Sequence, residues 1–108
     1  MLDSPRTWFV TGASSGLGLA LVRHALARGH DVVAAVRSPE KLDRLAAEAG
    51  DRLLVRRLDV TVAGDAERAV GAALERFGRI DVLFNNAGYG IVGAFEETPE
   101  AELRAQLE

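Results

Sequence analysis

The chain has 108 residues, 48% of them hydrophobic, and a net charge of −3. It is long enough for one buried core, and its small charge gives no electrostatic reason to expect a nucleic-acid or anionic-membrane partner. It contains no cysteine, which excludes disulfides, thiolate metal sites and a cysteine nucleophile.

The N-terminal stretch MLDSPRTWFV has no basic region followed by a long apolar one, so no signal peptide is read. No apolar run approaches the roughly 20 residues that span a bilayer. A cytoplasmic protein with no membrane partner is therefore the expectation. Of its thirteen basic residues, Lys41 is the one lysine.

Residues 7–11, TWFVT, are β-branched and aromatic, stop at Gly12, and predict a short buried strand. From Gly16 to about Arg28, Leu17, Leu21, Val22, Ala25 and Leu26 recur at helical spacing, and Gly29 ends the helix. Residues 31–36, DVVAAV, predict a second buried strand. Ser38 and Pro39 then read as a side-chain cap followed by a residue already fixed in helical φ. The apolar face of that helix is Leu42, Leu45, Ala46 and Ala49, and Gly50 closes it.

Residues 52–58, RLLVRRL, predict a third strand, interrupted by Arg56 and Arg57. Thr61 is placed to cap the next helix, which turns Ala66, Ala69, Val70, Ala73, Leu74 and Phe77 inward and ends at Gly78. Residues 80–84, IDVLF, predict a fourth strand, followed at once by NNAG. A loop, YGIVGAFEE, then leads to Thr98 and Pro99, the start of a last helix. The order βαβαβαβα, with nearly all-apolar strands, predicts an α/β fold: a doubly wound, Rossmann-like parallel sheet with helices on both faces. No repeat, low-complexity tract or linker divides it.

The stretch VTGASSGLG, residues 10–18, places Gly12, Gly16 and Gly18 between the first strand and the first helix. In a doubly wound sheet that turn lies at the carboxyl ends of the strands, where ligands bind. The helix start offers free N–H groups and a partial positive charge, and glycines let a pyrophosphate come close to that backbone. Thr11, Ser14 and Ser15 add hydroxyl donors. A plain structural turn would not need three glycines at this junction. The spacing G-x-x-x-G-x-G differs from the G-x-G-x-x-G dinucleotide fingerprint and from a P-loop.

Thr11-Gly12-x-x-x-Gly16-x-Gly18 resembles the cofactor motif of the short-chain dehydrogenase/reductase family. Asn85-Asn86-Ala87-Gly88 matches that family's NNAG, and Asp59-Val60 its adenine-contacting pair. Each motif stands at the end of its expected strand, and the resemblance covers the whole chain. It implies that residues 12–18, including Ser14, Ser15, Gly16, Leu17 and Gly18, hold a pyrophosphate, with the Leu17 N–H as one donor. It implies that Asp59 and Val60 flank the adenine and that Asn86, Ala87 and Gly88 line the ribose near the nicotinamide. Asn85 would tie the central strands together.

The end of the second strand bears on NADP(H) against NAD(H). An acid there accepts from the ribose 2′-OH, whereas an arginine favours a 2′-phosphate. Val36 stands at the acidic position, followed by Arg37 and Ser38, which favours NADP(H) over NAD(H).

The resemblance implies hydride transfer to or from a carbonyl or alcohol. Its catalytic tyrosine, the lysine four residues on, the serine and the asparagine cannot be assigned. The sole tyrosine, Tyr89, has Gly93 four residues later, and Lys41 is placed in the second helix, away from the expected chemistry. No catalytic residue is assigned, and none for a metal. The expectation is the N-terminal, cofactor-binding part of one NADP-binding domain, in a reductase that is a homo-oligomer at full length. The fourth strand would then be an apolar edge.

His24 and His30 lack an acidic or histidine cluster at ligand spacing. Trp8 and Phe9 read as core. Glu96, Glu97, Glu100 and Glu102 read as favourable charge near a helix start. Tyr89, Ile91, Val92 and Phe95 suggest an apolar substrate wall. Two other functions are open: a non-catalytic NADP(H)-binding module, and a methyltransferase binding S-adenosylmethionine. The latter expects an acid where Val36 stands and has no use for NNAG.

Overall fold

A computed structural model of the chain describes residues 5–14 and 16–85, together with the backbone of a strand at 91–94. Strand β1 (Thr7–Thr11) leads into helix α1 (Gly16–Ala27), and β2 (Asp31–Val36) follows. A short 3-10 turn (Pro39–Leu42) precedes helix α2 (Asp43–Ala49), and a second one (Gly50–Arg52) precedes β3 (Leu53–Arg57). Helix α3 (Asp65–Phe77) and strands β4 (Val82–Phe84) and β5 (Ile91–Ala94) complete the order.

The five strands form one sheet in the order β3-β2-β1-β4-β5. Parallel pairing runs in register from Thr7 opposite Asp31 to Thr11 opposite Ala35. β2 pairs in parallel with β3, and β1 with β4. Because β1 is central and β2 is covered on both faces, their side chains alternate between two cores. Val10, Val32, Ala34 and Val36 pack with Val22 and Ala25 of α1 on one face. Phe9, Val33, Ala35 and Leu83 pack with Ala66, Ala69, Val70 and Ala73 of α3 on the other. Each fully buried valine or phenylalanine contributes about 1.5–3 kcal/mol over its exposed state.

Several local readings are corrected. Ser38 makes no side-chain cap hydrogen bond. The proline instead opens the 3-10 turn, closed by the Lys41 N–H donating to the Ser38 carbonyl at 3.1 Å, and α2 begins only at Asp43. Thr61 does not cap α3 either: its N–H and hydroxyl both donate to Asp59 Oδ1, at 2.9 and 2.6 Å. This local bond competes with helix capping, so Gly64, in the left-handed conformation, takes the cap position. Leu17, counted on the apolar face of α1, is 58% exposed.

Residues 91–94, read as loop, form an antiparallel strand on β4, with Phe84 opposite Ile91 and an irregularity between Val82 and Leu83. β4 is therefore paired on both sides and is not the expected open edge. The last helix expected from Pro99, and the side chains of Tyr89, Ile91, Val92 and Phe95, lie outside the described residues, as do Glu96, Glu97, Glu100 and Glu102.

At the opposite end of the sheet, Arg52 Nη2 donates to the carbonyls of Leu26 and His30, at 2.5 and 2.8 Å. It thereby adds a second donor to the Leu26 carbonyl, which also accepts the Gly29 N–H at 3.1 Å, at the end of α1. Buried His30 accepts the Arg6 N–H at Nδ1 (3.0 Å) and stacks on Trp8. Burial, then the nearby Arg28, Arg6 and Arg52 charges, holds its pKa below the ordinary histidine value. Trp8 also stacks on Phe84 and is half-buried, with its indole N–H unpartnered among the described residues. Among those residues no three histidine, aspartate or glutamate side chains gather to hold a metal, and no helix is long and apolar enough to cross a membrane.

Candidate functional site

The parallel strands β1, β2 and β3 all end on the same side of the sheet, and the residues that follow them form one rim. Gly12 follows β1, Arg37 and Ser38 follow β2, and Asp59 and Val60 come shortly after β3. Backbone hydrogen bonds lock this rim: Gly12 N–H to the Ala35 carbonyl at 3.0 Å, and Leu58 N–H to the Val36 carbonyl at 2.8 Å.

The turn from β1 into α1 is built on glycine for two different reasons. Gly12 and Gly16 have φ of +61° and +58°, the left-handed region that side chains disfavour. Gly18 is needed for close approach: a Cβ there would lie 2.2 Å from the Gly12 carbonyl oxygen. The first turn of α1 carries no acidic residue, so its positive end has no carboxylate of its own to offset it.

Beside this turn lies a cavity of ≈ 380 Å³. Gly12 and Ser14 form one wall, Val36, Arg37 and Ser38 another, and Lys41 and Leu58 complete it with Ala35. A cavity of mixed polar and apolar lining that includes two cationic residues, next to a glycine-built helix start, fits a phosphate-bearing dinucleotide. Among the described residues, the exposed large hydrophobic side chains are Leu17, in the first turn of α1, and Val60, after β3, at 58% each.

Two carboxylates order the β3 side. The Thr61 hydroxyl and N–H hold Asp59 below the usual carboxylate range, helped by Arg37 and Arg57. Arg37 Nε lies 3.9 Å from Asp59 Oδ2, with the arginine side chain 80% exposed. Asp65 is also held below that range, first by the hydrogen bond from Arg68, then by the Asp59 N–H (3.1 Å) and the charges of Arg57 and Arg68. Since both pKa values are lower in the folded state, their stabilisation is complete above the ordinary carboxylate range. It is lost as pH falls through the folded values. Thermal melts of Asp65→Asn should therefore show a flatter loss of Tm below about pH 4 than the parent protein. An unchanged acid slope contradicts this assignment.

Of the residues expected at the site, Gly12, Ser14, Arg37 and Ser38 line the cavity, Asp59 lies beside Arg37, Gly16, Leu17 and Gly18 open α1, and Val60 follows Asp59 without lining the cavity. Thr11 is removed from the donor set: it is fully buried, and its hydroxyl lies 3.1 Å from Asn85 Oδ1 and 3.3 Å from the Phe84 carbonyl. The same contact places Asn85 as a tie between β1 and β4. Ser15, Asn86, Ala87 and Gly88 lie outside the described residues. Lys41, set aside from its position in sequence, is a wall of the cavity. The signal for it was Ser38-Pro39, read as a helix start when it opens a turn that brings Lys41 back beside Ser38.

Comparison with known proteins agrees with this geometry. The sequence profile described as short chain dehydrogenase matches residues 6–108. The chain is 43% identical over 104 residues to "Oxidoreductase BOA17" of Botryotinia fuckeliana (strain B05.10), covering 95% of this chain and 38% of that protein. It resembles the crystal structure of 3-ketoacyl-(acyl-carrier-protein) reductase from Brucella melitensis complexed with NADH, with a TM-score of 0.73 and 36% identity over 82% of this chain and 36% of that one. An alcohol dehydrogenase from the archaeon Thermococcus sibiricus, complexed with 5-hydroxy-NADP, gives a TM-score of 0.73 and 33% identity, covering 81% of this chain and 39% of that one. The chain thus spans under two-fifths of the length of these relatives, and the two solved structures hold NADH and 5-hydroxy-NADP respectively.

Proposed function

This chain belongs to the short-chain dehydrogenase family, and we propose that it supplies the NADP(H)-holding part of a cytoplasmic oxidoreductase acting on a carbonyl or alcohol. When bound, the nicotinamide donates or accepts the hydride. The residues of this chain hold and orient it. Gly12, Ser14, Ser15, Gly16, Leu17 and Gly18 hold the pyrophosphate at the start of α1. Asp59 and Val60 flank the adenine, and Asn86, Ala87 and Gly88 line the ribose beside the nicotinamide. Arg37 and Ser38 take the 2′-phosphate. The 108 residues form the N-terminal portion of one dinucleotide-binding domain, and the full-length form is a homo-oligomer. The substrate is apolar, on the strength of the apolar residues after NNAG.

The observation that carries the cofactor choice is the end of β2. Val36 stands where an acid would accept a 2′-OH and repel a phosphate, and Arg37 borders the cavity beside it. A guanidinium there gives a charge-assisted bond to phosphate that it cannot give to a hydroxyl acceptor site. Titration of the chain with NADPH and NADH tests this. Arg37→Ala should weaken NADPH binding by about tenfold, the range of one charge-assisted bond, and leave NADH unchanged. Equal affinities of the parent chain for the two dinucleotides would overturn the choice of NADP(H).

A further inference from the structure

We propose that the open edge of β3 is a docking site for an acidic, extended segment of a partner protein, which adds to the sheet as a further strand. β3 stands at the end of the strand order and pairs only with β2 among the described residues. The Leu58 N–H donates to the Val36 carbonyl, and along a strand the backbone groups of alternate residues point to the same side. Leu54 and Arg56 therefore turn their backbone to β2, and Val55 and Arg57 turn theirs outward. A cavity of ≈ 360 Å³ lies at this edge, lined by Val55, Arg56 and Arg57 of the strand together with Pro39 and with Asp65 and Arg68 of α3. A second, of ≈ 490 Å³, shares Arg56 and runs from Leu54 to Arg76 of α3. Neither shares a lining residue with the cavity beside the glycine turn.

Charge and pattern select the occupant. In a chain of net charge −3, the two cavities present Arg56, Arg57, Arg68 and Arg76 against Asp65 and Glu75. Asp65 is already bound by Arg68 and lies 3.7 Å from Arg57. The Arg56 guanidinium, common to both cavities, has no ion pair or hydrogen bond among the described residues. Charge of one sign keeps an edge from pairing with its own kind, since a second copy of β3 alongside would set a second group of arginines against the first. The same arginines attract a strand that carries carboxylates. Leu54 and Val55 are half-buried and pack in the cores on opposite faces of the sheet, and Arg56 and Arg57 follow them on those faces. The complementary strand thus has two apolar residues beside Leu54 and Val55 and two acidic ones beside Arg56 and Arg57. Its main chain supplies affinity through the outward groups of Val55 and Arg57, and its side chains supply specificity.

The test titrates this chain with the peptide TIVEET and its reverse, TEEVIT, one for each strand direction, and follows amide hydrogen exchange. One of them should bind saturably and slow exchange at Val55 and Arg57, while Leu54 and Arg56, already turned to β2, keep their rates. The same peptide with glutamine for both glutamates should bind about tenfold more weakly, and Arg56→Gln should weaken the acidic peptide by about two- to fivefold, the range for exposed ion pairs. Both losses should shrink with added salt. No saturable binding at millimolar peptide, equal binding of the glutamine peptides, or binding that leaves Val55 and Arg57 unprotected overturns the proposal. Protection of those two amides that grows with chain concentration in the absence of peptide assigns the edge to a second copy and overturns it as well.

Discussion

Gly18→Ala should destroy the dinucleotide site and unfold a substantial fraction of the chain, although it adds one methyl group. That methyl would lie 2.2 Å from the Gly12 carbonyl oxygen, 2.8 Å from its carbon and 3.0 Å from the Ala13 Cα. All three are backbone atoms of the turn, so no side chain can swing aside. Overpacking a core costs about 1–3 kcal/mol when side chains can adjust; with backbone on the far side, the upper end or beyond is expected. The turn can relieve the clash only by moving away from α1, which displaces the N–H groups that face a phosphate.

Gly16→Ala provides the control. Nothing lies within 4 Å of a Cβ at Gly16, whose φ is +58°, so its cost is the left-handed strain alone, about 1–2 kcal/mol. Thermal melts and NADPH titrations of the two variants should therefore rank Gly18→Ala well below Gly16→Ala in both stability and affinity. The reverse order would show that close approach is not what the third glycine provides.

Asp81→Ala should lower stability by about 1–3 kcal/mol, the range for leaving a buried backbone donor unsatisfied, since its ion-pair partner Arg79 is itself exposed. Asp81 is completely buried. Its Oδ2 accepts the Thr7 N–H at 2.8 Å, and its own N–H donates to the Thr7 carbonyl at 2.8 Å. Arg79 Nε donates to its Oδ1 at 2.7 Å. This reciprocal clasp joins positions 74 residues apart in the chain and fixes how β4 starts against β1. It also sets where Asn85 emerges at the other end of β4. Asp81→Asn keeps one acceptor oxygen, for Thr7, but replaces the one that accepts from Arg79 with an NH2 donor, so chemical denaturation should place it between the parent and Asp81→Ala. If the parent and both variants unfold at the same denaturant concentration, Asp81 does not hold the strands together.

Much of this architecture is written in local pattern. The runs TWFVT and DVVAAV coincide with β1 and β2 because both strands are buried on two faces and need no alternation. The inward face of α3 is legible because Ala66, Ala69, Val70 and Ala73 recur at helical spacing. The glycine turn was legible from three glycines at a strand-to-helix junction.

What local pattern does not carry is decided by partners distant in sequence or by competition within a few residues. Residues 91–94 become a strand because β4 offers them an unpaired edge, and the glycine at 93 weakens any strand signal of their own. Asp81 was read as part of a strand because its partner, Thr7, lies at the far end of the sequence. Thr61 has the chemistry of a helix cap, yet Asp59 two residues earlier is a nearer acceptor. Lys41 was set aside on its helix assignment, and a 3-10 turn rather than a helix brings it to the site.

The most direct measurement is an NMR titration of the chain with NADPH, following the backbone amides. The account predicts the largest shifts at Gly12, Gly18, Arg37, Lys41 and Val60, around one rim, with the amides of Thr7 and His30 at the opposite end of the sheet unmoved. Shifts centred on that opposite end, or none at saturating NADPH, would contradict a dinucleotide site at the start of α1.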